Sequence, residues 1–255
     1  MNIYNLSFCV GISSTLTEQQ LVLAAVKRAY SDMSRRTLFF SNKDYIGDGK
    51  IESSNREKLK EYVKNAITLN INNLYKDLIN ANQNKQTVYD DWHNKTCIEI
   101  VKIFTTRHPE SNNAPMQSSE ELLKLAKTQE QKDDARKYGF SYGQAQKILN
   151  MTMKYVYIFM DYYNTLNITN YSKYVQNFEK VFIPVLHSPI DRIVIDNAAK
   201  KKWLGLKIPA LSWSQMDEET YKNYQTNLRI ELTKKYPNSD DKYPFMWELK
   251  NYPFN

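Results

Sequence analysis

FSYGQAQKILNMTMKYVYIF, residues 140–159, decides the fold. At about 100° per residue, Ala145, Leu149, Thr152, Val156 and Phe159 form one apolar line, flanked by Ile148, Met151, Tyr155 and Ile158. What remains is a thin polar stripe of Lys147, Asn150, Lys154, Tyr157 and, just beyond, Asp161. A solvated surface helix would be polar over about half its circumference. The spacing therefore predicts a mostly enclosed helix whose stripe faces a rim of solvent or a cleft.

Helical spacing recurs on both sides of this stretch. Thr15 or Thr17 would cap EQQLVLAAVKRAYSDMSRR, and Ser53 or Ser54 would cap NREKLKEYVKNAITLNINNLYKDLINA. TVYDDWHNKTCIEIVKIFTTR places Trp92, Cys97, Ile100, Val101 and Phe104 on one face, and SSEELLKLAKTQEQKDDARKYG reads as one charged helix with Gly139 at its C′ position. After the opening helix comes a polar Tyr/Asn stretch, 162–180. In HSPIDRIVI, Ser188 is the expected N-cap, Pro189 follows at N1 and Asp191 falls in the first turn. LSWSQMDEETYKNYQTNLRIELTKKY reads as a helix capped by Ser214, with Trp213 as its staple. RHPESNNAPMQSS, 107–119, is the clearest linker. The expectation is an all-α, multi-helix fold with few or no short strands and a cleft between two helical halves. Those halves are 1–110 and 118–255, as separate parts or as one composite domain.

Composition agrees with helices. Only 6 glycines occur in 255 residues, too few for the turns of an all-β fold. Cys9 and Cys97 have no metal-binding spacing and read as free thiols in a reducing compartment. No run approaches 18 apolar residues and the N-terminus lacks a positive n-region, so a soluble cytoplasmic protein without a membrane span is expected. DYIGDGKI, 44–51, resembles part of a calcium loop, but Ile46 stands at a ligand position and Asn55 where a bidentate Glu is needed. His93 and Cys97 share a helix face at i and i+4, yet nothing completes a zinc set, so they read as packed. Nucleotide-binding and Ser-hydrolase motifs are missing, and no metal or cofactor is expected. The net charge of +7 permits an anionic partner, nucleic acid first.

Chemistry concentrates in two stretches. A lysine in a cleft beside apolar surface is disfavoured in its charged form, which makes its amine a better nucleophile. The competing reading is two lysines snorkelling over core edges. Asp191 is either an ordinary helix-start carboxylate or one held ionised toward a cleft. AAKKKW, 198–203, offers cations to phosphates or simply to solvent.

FSYGQAQK followed by HSPIDRIVI resembles the helix–hairpin–helix DNA glycosylases, nearest to their lysine-using 8-oxoguanine branch, over roughly residues 139–232. The resemblance implies Lys147 as the amine that attacks the sugar and Asp191 as the carboxylate that assists it. Lys154, on nearly the same face, is the rival amine. The family's hairpin carries Gly-hydrophobic-Gly, where this chain has Gly143 alone. Base excision also requires a pocket that receives and reads an extruded base. Tyr142, Gln144, Gln146, Asn150, Lys154, His187 and Trp213 are the candidates. The implied partner is nucleic acid, DNA ahead of RNA. The alternative is a non-catalytic helical module that binds nucleic acid or protein.

Overall fold

The computed structural model describes residues 18–34, 53–81, 84–105, 118–165 and 171–252. The expected caps Thr15 and Thr17, the 44–51 loop, Cys9 and nearly all of the 107–119 linker lie outside these residues. The described residues form ten α-helices and no strand; one parallel bridge joins Ser118 and Phe140. None of these helices is long and apolar enough to cross a membrane.

In chain order the helices are α1 (Glu18–Ser34), α2 (Ser53–Asn80), α3 (Lys85–Thr105), α4 (Ser119–Leu125), α5 (Gln129–Tyr138), α6 (Tyr142–Thr165), α7 (Tyr171–Val181), α8 (Arg192–Ala199), α9 (Glu218–Lys235) and α10 (Pro244–Asn251). The opening stretch is α6, and it is enclosed. Leu149 and Ala145 are wholly buried, and of the stripe Asn150, Lys154 and Tyr157 are buried too. Around α6 pack α1, α3 and α7, with α2 closing over α1 and α3. A first core joins Leu21 and Val26 of α1, Ile67 and Leu74 of α2, Ile100 of α3, Leu149 and Val156 of α6 and Phe178 of α7. Truncating such a side chain as Leu149 to Ala costs about 2–5 kcal/mol. A second core joins Ile190 and Val194 to Met216, Tyr221, Leu228 and Trp247, bringing α8, α9 and α10 together.

Four local expectations differ from the structure. The charged segment before Gly139 is two helices, because Thr128 and Gln131 form a reciprocal capping box that starts α5 afresh. Gly139 has φ −79°, an ordinary extended value. Glycine is needed there because a Cβ would lie 2.5 Å from Ser119 Cα. Of the polar 162–180 stretch, 162–165 close α6 and 171–180 belong to α7, while 166–170 lie outside the described residues. Finally, α8 is capped by Asp191 and α9 by Asp217, in place of Ser188 and Ser214. Side chains explain the first of these caps. Gln225 donates to Ser188 O and Gln146 to Ile190 O, which keeps 188–190 out of the helix.

Candidate functional site

The short turn Gly139–Ser141 joins α5 to α6. Ser141 and Gln144 cap α6 reciprocally: Ser141 N–H donates to Gln144 Oε1 at 2.9 Å, and Gln144 N–H to Ser141 Oγ at 3.1 Å. Ser141 Oγ–H in turn donates to Ser214 O, and Gly143 N–H to Met216 O. This docks the Trp213–Gln215 turn on the first turn of α6. A Cβ on Gly143 would meet Trp213 O at 2.0 Å, so glycine here permits a backbone approach.

That docking sets Trp213 beside Lys147, whose Nζ lies 4.6 Å from the indole centroid. The same ammonium donates to Asp191 Oδ2 at 3.0 Å. Asp191 Oδ1 meanwhile accepts from Val194 N–H at 2.9 Å, capping α8. One carboxylate oxygen thus fixes the helix and the other faces the lysine. The side chains of Lys147 and Asp191 are 14% and 17% exposed, so the pair keeps contact with solvent. Lys147, Asp191 and Trp213 are thereby brought together from three separate segments.

Lys154 is held elsewhere. Its Nζ donates to Glu248 Oε1 at 2.7 Å and sits 4.9 Å from the Tyr252 ring centre. Glu248 is almost completely buried and its Oε2 has no hydrogen-bond partner. Burial pushes its carboxyl above the usual carboxylate range; the Lys154 charge pulls it only part of the way back.

Gln146, Asn150 and His187 lie behind the pair in a buried polar network. Asn150 Nδ2 donates to Gln146 Oε1 and to the Tyr221 hydroxyl, so its Oδ1 accepts from His93 Nε2–H at 3.0 Å. Tyr221 O–H then donates to His187 Nδ1 at 2.9 Å, and His187 Nε2–H to Asp90 Oδ1 at 3.0 Å. His93 is held well below the ordinary histidine range by burial and by His187; His187 is lowered by burial, which Asp90 offsets in part. Hydroxyl, imidazole and carboxylate stand here in the order of a catalytic triad. Tyr221, however, is wholly buried and its oxygen is occupied by Asn150, Gln225 and His187. The network therefore offers no hydroxyl to a substrate; it builds the floor under 187–191. Arg229 reinforces that floor by donating to the carbonyls of Pro184, Val185 and Leu186.

The other candidates fall inside this framework. Tyr142 is half-buried with its hydroxyl beside the Cys97 thiol, and Gln144 serves as the α6 cap. Residues that sequence reading did not single out are Asp90, Tyr221, Gln225, Glu248 and Tyr252. The partners that place them in the site, His187 for Asp90, Asn150 for Tyr221, Ser188 for Gln225 and Lys154 for Glu248 and Tyr252, lie tens of residues away, beyond the reach of helical periodicity. Among the described residues no group of three or more His, Cys, Asp or Glu is arranged to hold a metal ion.

Comparison of the chain with protein-family models, with curated proteins and with solved structures gives no match.

Proposed function

We propose that the protein is a base-excision enzyme of DNA glycosylase type, acting on a modified or damaged base through Lys147. The single observation that carries this reading is the 3.0 Å contact between Lys147 Nζ and Asp191 Oδ2 at a solvent-reaching position. A lysine nucleophile needs a nearby acceptor for its ammonium proton, and a charge that stabilises the cationic sugar as the base departs. Asp191 meets both needs, and its bond to Val194 N–H keeps it from following the lysine.

Lys147 gives a proton to Asp191, and its lone pair forms the bond to the sugar anomeric carbon as the bond to the base breaks. The base leaves with that electron pair and takes a proton from water. The amine nitrogen, which carries two protons after the attack, gives one to the ring oxygen as the sugar ring opens to a protonated Schiff base, and Asp191 returns its proton to the hydroxide that the water leaves. Trp213, against the ammonium, adds an aromatic face on which a base could stack. Lys154 is the weaker candidate for the amine, since its partner Glu248 is buried.

The alternative, a non-catalytic nucleic-acid-binding module, is favoured by the exposed Lys200–Lys202 turn after α8. Lys147→Ala separates the two. In an enzyme it abolishes turnover on duplexes carrying damaged bases and leaves affinity within severalfold. In a binder there is no turnover to lose, and Lys200→Ala, Lys201→Ala and Lys202→Ala each weaken affinity and lower the salt slope by about one unit.

A further inference from the structure

Gln146 precedes Lys147 in the chain and is wholly buried, yet every hydrogen-bonding position of its amide is filled. Nε2 donates to Gly143 O at 2.9 Å and to Ile190 O at 3.0 Å, while Oε1 accepts from Asn150 Nδ2 at 2.9 Å and from Ile190 N–H at 3.4 Å. The side chain thus grips the backbone of Ile190 by both its groups. Ile190 is the residue before Asp191. One amide therefore ties the residue next to the lysine to the residue next to the carboxylate, across 44 positions of sequence.

We propose that Gln146 is the positioning residue of the Lys147–Asp191 pair. It fixes the extended 188–190 segment, so that Asp191 caps α8 with one oxygen and meets Lys147 with the other. Asn150 orients the Gln146 amide: by donating to Oε1 it leaves Nε2 to face the two carbonyls. The catalytic half of this inference rests on the base-excision reading; the geometric half does not.

Two measurements on the full chain separate those halves. The first is the 1H–15N correlation of the lysine ammonium groups in 15N-lysine-labelled protein, where hydrogen-bonded protons exchange slowly enough to be seen. Wild type should show Lys147 and Lys154, and Gln146→Met should lose Lys147 while keeping Lys154, whose signal certifies the fold. If Gln146→Met does not fold, Gln146→Glu, of nearly equal size but with no amide donor, answers the same question. A Lys147 signal unchanged in the variant, or missing from wild type while Lys154 is seen, overturns the proposal.

The second is the rate of borohydride-trapped adduct formation on an abasic duplex at saturating concentration. Gln146→Met should slow it by about 10-fold or more with affinity within threefold, because small misplacements of reacting groups are costly. In an Asp191→Asn background the same substitution should have little further effect. An unchanged rate, or full additivity, overturns the positioning role. No adduct from wild type overturns the base-excision reading and leaves the ammonium spectra to judge the geometry.

Discussion

Lys154 donates to Glu248 inside the protein at 2.7 Å, seven residues along the same helix from Lys147, whose partner Asp191 lies nearer solvent. The two ion pairs differ in what each carboxylate has left when its lysine is removed. Asp191 retains Val194 N–H and some water; among the described residues Glu248 Oε2 has no hydrogen-bond partner and Oε1 has Lys154.

Lys154→Met should therefore destabilise the fold by about 3–5 kcal/mol, the cost of stranding a buried charge. Lys147→Met should cost about 1.5–3 kcal/mol, the scale of one hydrogen bond to a charged group. Urea unfolding of the two variants measures the difference. Equal costs would show that the two pairs are alike in burial and role.

Burial of the two imidazoles predicts an acid-sensitive fold. His93 is lowered by burial and by His187, with Lys222 adding to both; His187 is lowered by burial against Asp90, with Arg229 adding. A histidine whose folded value is depressed binds fewer protons folded than unfolded. Its contribution is full above about pH 6.5 and declines below that value. Asp90 works in the same direction lower down: burial raises it, the His187 bond and charge outweigh burial, and its net depression is lost as acid protonates it. Thermal midpoints should fall as pH drops from about 6.5 to about 4.5, and His187→Gln should flatten the fall. An identical slope in the variant would remove His187 from the explanation.

Gly143→Ala tests the docking that sets Trp213 over Lys147. The added methyl must displace backbone, with Trp213 O at 2.0 Å from its position. The expected loss is about 2–3 kcal/mol, accompanied by a change in tryptophan emission. A variant with wild-type stability and emission would contradict the close approach.

Several of these features were legible in the sequence. The apolar line of α6 has a 3.6-residue period, so its helix and its enclosure follow from spacing alone. Lys147 and Asp191 stood out as one amine on the polar stripe and one carboxylate at a helix start. The Thr128–Gln131 capping box was also readable in TQEQ, and it marks the break that a reading of one continuous helix passes over. The partner of Lys154 was not readable, because no local period links residues 94 apart. Nor was the role of Gln146 and Asn150. An amide on a helix stripe looks the same whether it faces water or a buried backbone, and only the tertiary arrangement of 187–191 decides.

The most direct measurement is mass-spectrometric mapping of the adduct formed when borohydride is added to the protein on duplexes carrying abasic sites or modified bases. The expected result is a reduced sugar attached to Lys147, absent in Lys147→Ala and retained in Lys154→Ala. An adduct on Lys154, or none on any substrate despite salt-sensitive binding, would contradict a Lys147 nucleophile.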